Sequence, residues 1–355
     1  MVVIDIVKVI VPAALTFFIG IAITPIVTHY LYAFKAWKKS PGKTALDGKK
    51  AEEFGRLRAH VETHTPRMGG IVIWGSVLIT TVLLWLLGTF FEGSAFSKLD
   101  FLSRNQTWIP FSTLLIGALV GLANDIFDIT SLSGEKGITL KVRLLVVGAV
   151  SLFIGWWFFE KLDITSIAVP FNGDFFIGWL IIPFFMLVSI ALYASGVIDG
   201  IDGLSGGVFA SIFAAYAGIA FYQEQLDLAA FCAAVVGALL AFLWFNIPPA
   251  RFWMTETGTM GLTMTIAVIA FMTDTLGGGE GIAVLPIIAV LLVMTVLSNI
   301  LQVLSKKYRG EKIFKVAPIH HHFEAIGWPG YKVTMRYWIV SVVFAVIGII
   351  IALTG

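Results

Sequence analysis

Three adjacent imidazoles, in the string Ala317-Pro318-Ile319-His320-His321-His322-Phe323-Glu324, occupy a polar interval between two apolar stretches that are each long enough to cross a bilayer. Neutral imidazoles donate and accept hydrogen bonds near physiological pH, and as cations they bind phosphate oxygens. The cluster therefore suits a metal or a phosphate, with a solvated polar loop as the bland alternative. A purification tag is excluded, because a tag does not sit between Pro318 and Phe323 with a full span still to follow.

Other groups able to do chemistry fall in the same kind of position. Asn124, Asp125 and Asp128 close one apolar stretch, Asp199 and Asp202 follow another, and Asn246 and Glu256 bracket the interval after a third. Carboxylates beside a membrane are costly unless solvated, paired or bound to a cation, so a converging set marks a site even though each alone reads as ordinary loop solvation. From Gly196 to Gly207 the two aspartates alternate with glycines, which permit tight turns and close approach of backbone to a ligand. Such a loop holds a cation or a nucleotide, while Gly203 and Gly207 also fit the spacing of close-packed membrane helices. From Phe245 to Gly258, Pro248 and Pro249 stop a helix. Trp253, suited to stacking on a base or to anchoring at headgroup depth, then precedes Glu256, a hard oxygen ligand suited to Mg2+.

These groups must be positioned by a membrane bundle. Hydrophobic residues make up 58% and charged residues 13% of the 355, where a soluble domain carries roughly a quarter charged. The mean hydropathy is +0.92. Apolar runs near 6–32, 69–90, 108–123, 142–159, 176–193, 204–222, 228–245, 259–273, 282–304 and 337–354 predict an all-α polytopic bundle of about ten spans, built as a single domain over 1–355.

The cations orient it. Intervals after odd-numbered spans hold most of the lysines and arginines, among them Arg67, Lys136, Lys141, Arg143, Arg251, Lys306, Lys315 and Arg336, whereas the opposite face has Lys8, Lys98, Arg104 and Lys161. By the positive-inside rule the first set is cytoplasmic, and an even span count leaves both termini outside. The first span lacks a short core with a small-residue cleavage site and reads as a retained helix. Cys232 is alone within a span, so neither an intrachain disulfide nor a cysteine metal cage forms. Lys38 to Arg67 reads as a cytoplasmic loop with a short surface helix, and no nucleic-acid partner is expected.

Taken in order, Thr65-Pro66-Arg67-Met68-Gly69-Gly70, Asn124-Asp125, Val197 to Gly207, Phe245 to Gly258, and Ala317 to Glu324 followed by Gly327-Trp328-Pro329 resemble the phospho-N-acetylmuramoyl-pentapeptide transferases over nearly the whole chain. The Asp-Gly-Ile-Asp-Gly-Leu string alone resembles only the wider superfamily of polyprenyl-phosphate sugar-1-phosphate transferases; Pro-Ile-His-His-His-Phe-Glu narrows it to the muramoyl branch. The resemblance implies a ten-helix bacterial inner-membrane enzyme with a cytoplasmic active-site cleft. It would transfer phospho-N-acetylmuramoyl-pentapeptide from its UDP carrier to undecaprenyl phosphate, giving lipid I and UMP, with Mg2+ as cofactor. Members of the family suggest a homodimer, which no residue pattern here specifies.

Carried over residue by residue, the resemblance assigns the metal to Glu256, and catalytic roles to Asp125, Asn124, Lys136, His320, His321 and His322. It assigns substrate binding to Asp199, Gly200, Ile201, Asp202, Asn246 and Trp253. The chain departs from the family pattern at several of these places. Asn124 stands for the first aspartate of a pair, Asp128 for a lysine, Glu256 for the metal aspartate, Trp253 for a phenylalanine, Gly196 for an asparagine and Glu62 for a lysine, and Arg67 intrudes in the Thr-Pro motif. Two further readings stand beside the muramoyl one: a sibling transferase using another UDP-sugar, against which the triple histidine argues, and a non-catalytic membrane protein that binds lipid carrier or nucleotide, or a transporter. A transporter would place ionisable groups near the bilayer midplane rather than at one face.

Overall fold

The computed structural model describes residues 2–39, 63–94, 96–130 and 137–355. Glu62, Lys136 and most of the interval from Lys38 to Arg67, with its expected surface helix, lie outside the described residues.

Twelve α-helices are described: α1 Val2–Ala33, α2 Gly70–Phe90, α3 Trp108–Thr130, α4 Leu140–Leu162, α5 Ile181–Ser195, α6 Leu204–Tyr222, α7 Leu226–Asn246, α8 Glu256–Met272, α9 Gly281–Ile288, α10 Val290–Arg309, α11 Ile319–Ala325 and α12 Gly330–Thr354. Among the described residues nine helical stretches, those of α1 to α7, α10 and α12, are long and apolar enough to cross a membrane. The protein is an all-α polytopic membrane bundle, with two local departures from the ten-run pattern.

The eighth run is α8, with 17 residues, which at 1.5 Å per residue spans about 25 Å, short of the roughly 30 Å hydrocarbon core. Every residue from Thr257 to Met272 is buried. A helix enclosed by other helices meets no lipid and need not match the bilayer. The ninth run is two helices, α9 and α10, meeting at Ala289, with Pro286 inside α9. Proline removes one helical hydrogen bond and crowds the carbonyl four residues earlier, a break that averaged hydropathy does not register. α10 turns Ser298, Gln302 and Ser305 inward and leaves Leu297, Ile300, Leu301 and Leu304 exposed, the polarity expected of a helix lying between protein and lipid.

Small residues bring the backbones around α8 into contact. A Cβ on Gly117 would lie 2.8 Å from Gly261 Cα, one on Gly121 2.0 Å from the Glu256 carbonyl oxygen, and one on Gly70 2.3 Å from the Gly258 nitrogen. Glycine at these places lets α2 and α3 grip the N-terminal turn of α8. Gly207 serves the packing role its spacing allowed, since a Cβ there would overlap the Trp338 indole of α12.

A feature outside the helical pattern is an antiparallel hairpin, β1 Ser166–Val169 with β2 Gly173–Phe176, between α4 and α5 at the end opposite the loops that carry Asp199 and Trp253. Asp274, which follows α8 on that end, accepts the Ala168 N–H at 2.8 Å and the Ile282 N–H at 2.9 Å. Burial pushes its carboxyl up to about 6 despite these donors.

Candidate active site

Alternation of the spans brings the end of α3, the start of α4, the end of α5, the start of α6, the loop from α7 to α8 and the loop carrying α11 to one face. Asp125, in the last two turns of α3, is fully buried. Its Oδ1 accepts Arg67 Nη2 at 3.1 Å. Its Oδ2 accepts the Thr255 hydroxyl at 2.5 Å, the Thr257 N–H at 2.8 Å and the Thr257 hydroxyl at 2.7 Å. A carboxylate from α3 thus caps the N-terminus of α8, where the helix dipole favours negative charge. Asn124 points elsewhere: its Oδ1 accepts the Ile138 N–H at 3.1 Å and holds the chain entering α4.

Two arginines join this cluster. Arg67 bridges Asp125 and Asp128, with Nη1 3.1 Å from Asp128 Oδ2. Burial alone would pull its guanidinium down, but Asp125 and Asp128 outweigh it and hold it above its ordinary value. Arg143, from the first turn of α4, places Nη1 2.5 Å from Glu256 Oε1. From sequence Arg143 was one of many cytoplasmic cations, and Arg67 was another of them and an intrusion in the Thr-Pro motif.

The glycine-rich loop and the proline loop are tied to each other. Asp199 accepts the Ser205 hydroxyl at 2.7 Å and the Thr255 N–H at 2.7 Å. Asp202 accepts the Ala250 N–H and the Trp253 indole N–H, both at 3.1 Å. Asn246, buried, accepts the Gly203 N–H at 2.9 Å and donates to the Phe252 carbonyl at 2.8 Å. Gly203 has φ +75°, a conformation glycine adopts freely. Thr255 has φ +53°, unusual for a β-branched residue; donation to Asp125 and Asp199, and acceptance of the Met68 N–H at 3.1 Å, over-determine it.

The histidines close the cluster on one side. Ser298 of α10 accepts the Ile319 N–H at 3.1 Å, and Gln302 bonds the backbone of Ile313 and Phe314, so α10 carries α11. His320 and His321 are buried, and their rings stack edge to face with centroids 4.4 Å apart. His321 Nδ1 meets Glu324 Oε2 at 2.7 Å, whereas His322 Nδ1 faces outward to the Lys315 N–H at 3.2 Å. A Cβ on Gly200 would lie 2.5 Å from His321 Nε2 and 2.8 Å from His320 Nε2. The absent side chain is what lets the aspartate loop touch the imidazoles. Asp125, Asp199, Gly200, Asp202, Asn246, Trp253, Glu256, His320 and His321 therefore belong to one contiguous assembly; Asn124 and His322 point away from it, Ile201 is buried behind the loop, and Lys136 is not described.

The pattern of glycosyl transferase family 4 matches residues 107–274. The chain is 32% identical over 342 residues to the phospho-N-acetylmuramoyl-pentapeptide-transferase of Geobacillus sp. (strain WCH70), covering 95% of each. It is 33% identical over 340 residues to that of Bacillus subtilis (strain 168), covering 94% of this chain and 95% of the relative. The chain belongs to the phospho-N-acetylmuramoyl-pentapeptide-transferase family.

The resemblance in sequence put Asp128 where a lysine was expected, and the structure pairs it with a cation, Arg67. Net charge near the acidic cluster is thus less altered than the sequence alone suggests. Among the described residues no three His, Cys, Asp or Glu side chains are arranged to hold a metal by themselves. Mg2+ does not require that: it commonly uses one or two carboxylates, with water and substrate phosphates completing the octahedron. Asp125 and Asp199 have a donor on each oxygen, while Glu256 and Asp128 are partly exposed, at 26% and 18%, and each has one oxygen on an arginine. Of the two, Glu256, the only acid between Phe245 and Gly258, fits the ion, and Asp128 is left to Arg67.

Proposed function

We propose that the chain is a phosphotransferase that moves phospho-N-acetylmuramoyl-pentapeptide from its UDP carrier to undecaprenyl phosphate, forming lipid I and UMP in peptidoglycan synthesis. The observation that carries the reading is the cluster of Arg67, Arg143, Asp128 and Glu256 at the N-terminus of α8, beside the loop from Asp199 to Gly203 and the buried histidines. An oxygen of the lipid phosphate bonds to the phosphorus next to the sugar, and the bond to the bridging oxygen breaks. UMP leaves with that electron pair.

Several anionic oxygens meet in this step, so positioning and charge neutralisation dominate catalysis. Glu256 would hold Mg2+, which when bound neutralises phosphate charge. Arg143 fixes Glu256 by its ion pair, and Asp125 fixes the start of α8 on which Glu256 stands. Asp202 and Asn246 shape the loop that presents Trp253 to the uracil. His320 and His321 lie where imidazole N–H groups donate to phosphate oxygens next to Gly200. The catalytic face is cytoplasmic and both termini are outside, because the cations gather on that face.

The test is UMP release by purified protein given UDP-N-acetylmuramoyl-pentapeptide and undecaprenyl phosphate, with UDP-N-acetylglucosamine as competing donor. Release from the muramoyl donor is expected. Release only from the competitor assigns the chain to a sibling activity, and release from neither refutes the reading.

A further inference from the structure

We infer that Arg67 is a phosphate-binding residue held in reserve, whose inner edge anchors Asp125 permanently and whose outer edge passes from Asp128 to the substrate diphosphate. The inference rests on the phosphotransferase reading and adds a residue to it.

The two carboxylates that Arg67 bridges are equally close, at 3.1 Å, but differ in every other respect. Asp125 has no exposed side-chain surface and three further donors from Thr255 and Thr257. Asp128 is 18% exposed, and Arg67 is the partner found for it among the described residues. It also sits in the last turn of α3, where the helix dipole disfavours a negative charge. Of the two, Asp128 is the partner that gives way.

Arg67 has donors to spare. A guanidinium carries five N–H groups in a rigid plane, and its Nε, although buried, has no partner among the described residues. That planar fork matches a phosphate through two parallel hydrogen bonds, a geometry lysine does not offer. A diphosphate carries more charge than one carboxylate and presents oxygens from two phosphates, so it competes well for the outer edge. The inner edge remains on Asp125, which keeps the guanidinium plane oriented throughout. Asp128 then acts as a competitor that holds the arginine in place while the site is empty.

The experiment is titration of inorganic pyrophosphate, at saturating Mg2+, into the full-length protein in detergent. Asp128→Asn removes the competitor and tightens binding about three- to tenfold, the scale of a partly exposed ion pair. Arg67→Lys keeps a cation but loses the fork, and weakens binding about tenfold or more. In an Arg67→Gln background the gain from Asp128→Asn disappears, whereas general repulsion by Asp128 would leave it intact. Melting temperatures check that each variant is folded; if Arg67→Gln is not, the single variants Asp128→Asn and Arg67→Lys decide alone. The inference is overturned if wild-type protein binds no pyrophosphate, or if Asp128→Asn leaves binding unchanged or weaker. Protein that follows the expected binding pattern yet releases no UMP refutes the transferase reading instead.

Discussion

Asp125→Asn separates two roles a buried aspartate can have in such a site. If Asp125 acts only as a base or charge in the reaction, the amide leaves the fold intact and affects rate alone. The structure argues for more. The carboxylate accepts four hydrogen bonds from Arg67, Thr255 and Thr257 and is inaccessible to solvent. An amide directs an NH2 group at donors and removes the charge facing Arg67, and breaking a buried ion pair by altering one partner costs about 3–5 kcal/mol. Spread over a protein of this size, that corresponds to a fall of roughly 5 °C in melting temperature. The start of α8 is then less firmly placed, and Glu256 with it, so the rate should drop by about a hundredfold or more. Thermal unfolding in detergent and UMP release, measured on the same preparation, check both. Wild-type melting with a hundredfold slower rate would refute the anchoring argument, and wild-type melting with full rate would remove Asp125 from the site altogether.

Glu256→Gln should lower Mg2+-dependent turnover by about a hundredfold or more while keeping the fold; an unchanged Mg2+ titration would take Glu256 out of the metal site. On the opposite end, the folded protein holds Asp274 at about 6 against an ordinary 3.8, so folding binds extra protons between those values. The associated stability, at most about 3 kcal/mol for two units, is present below pH 3.8 and lost as pH rises through 6; melting temperature measured from pH 4 to 8 should carry a fall that ends near pH 6, and Asp274→Ala should remove that component. Because Cys232 is buried, single cysteines report topology cleanly: Phe96→Cys and Glu224→Cys should react with an impermeant reagent added outside cells, and Thr255→Cys should not. Outside labelling at Thr255 would place the catalytic loops on the wrong face.

The bundle was legible because lipid imposes its own composition: runs of apolar residues can be counted, and the ends of those runs locate the loops. The site loops were legible for the same reason, since Asp199, Asp202, Asn246, Glu256 and the histidines are polar residues where apolar sequence stops. Partner choice was not. Arg67 and Asp125 lie 58 residues apart, and Arg143 and Glu256 lie 113 apart, so nothing in the local pattern of either segment names the other. Asp128 looked adverse to an anionic substrate and Arg67 looked like an intrusion when each was read singly; only their 3.1 Å separation makes them one feature. The division of the ninth run at Ala289 escaped for a different reason, because hydropathy measures polarity and the break is one of backbone geometry.

The acidic residues of this face fall into two classes. Asp125, Asp199 and Asp202 give both oxygens to donors supplied by other loops, and what they determine is where those loops are. Asp128 and Glu256 are partly exposed and give one oxygen to an arginine. A metal ion or a phosphate can reach the second class without dismantling the fold, and reaches the first only by displacing the hydrogen bonds that place those loops. A rate lost by substitution in the first class therefore reports architecture and chemistry together, to be separated by stability measured alongside. Substitution in the second class reports chemistry more directly. By this argument the conspicuous Asp-Gly-Ile-Asp-Gly loop is the scaffold of the site, and the proposed phosphate contacts fall to Arg67 and, through Mg2+, to Glu256, residues the loop itself does not contain.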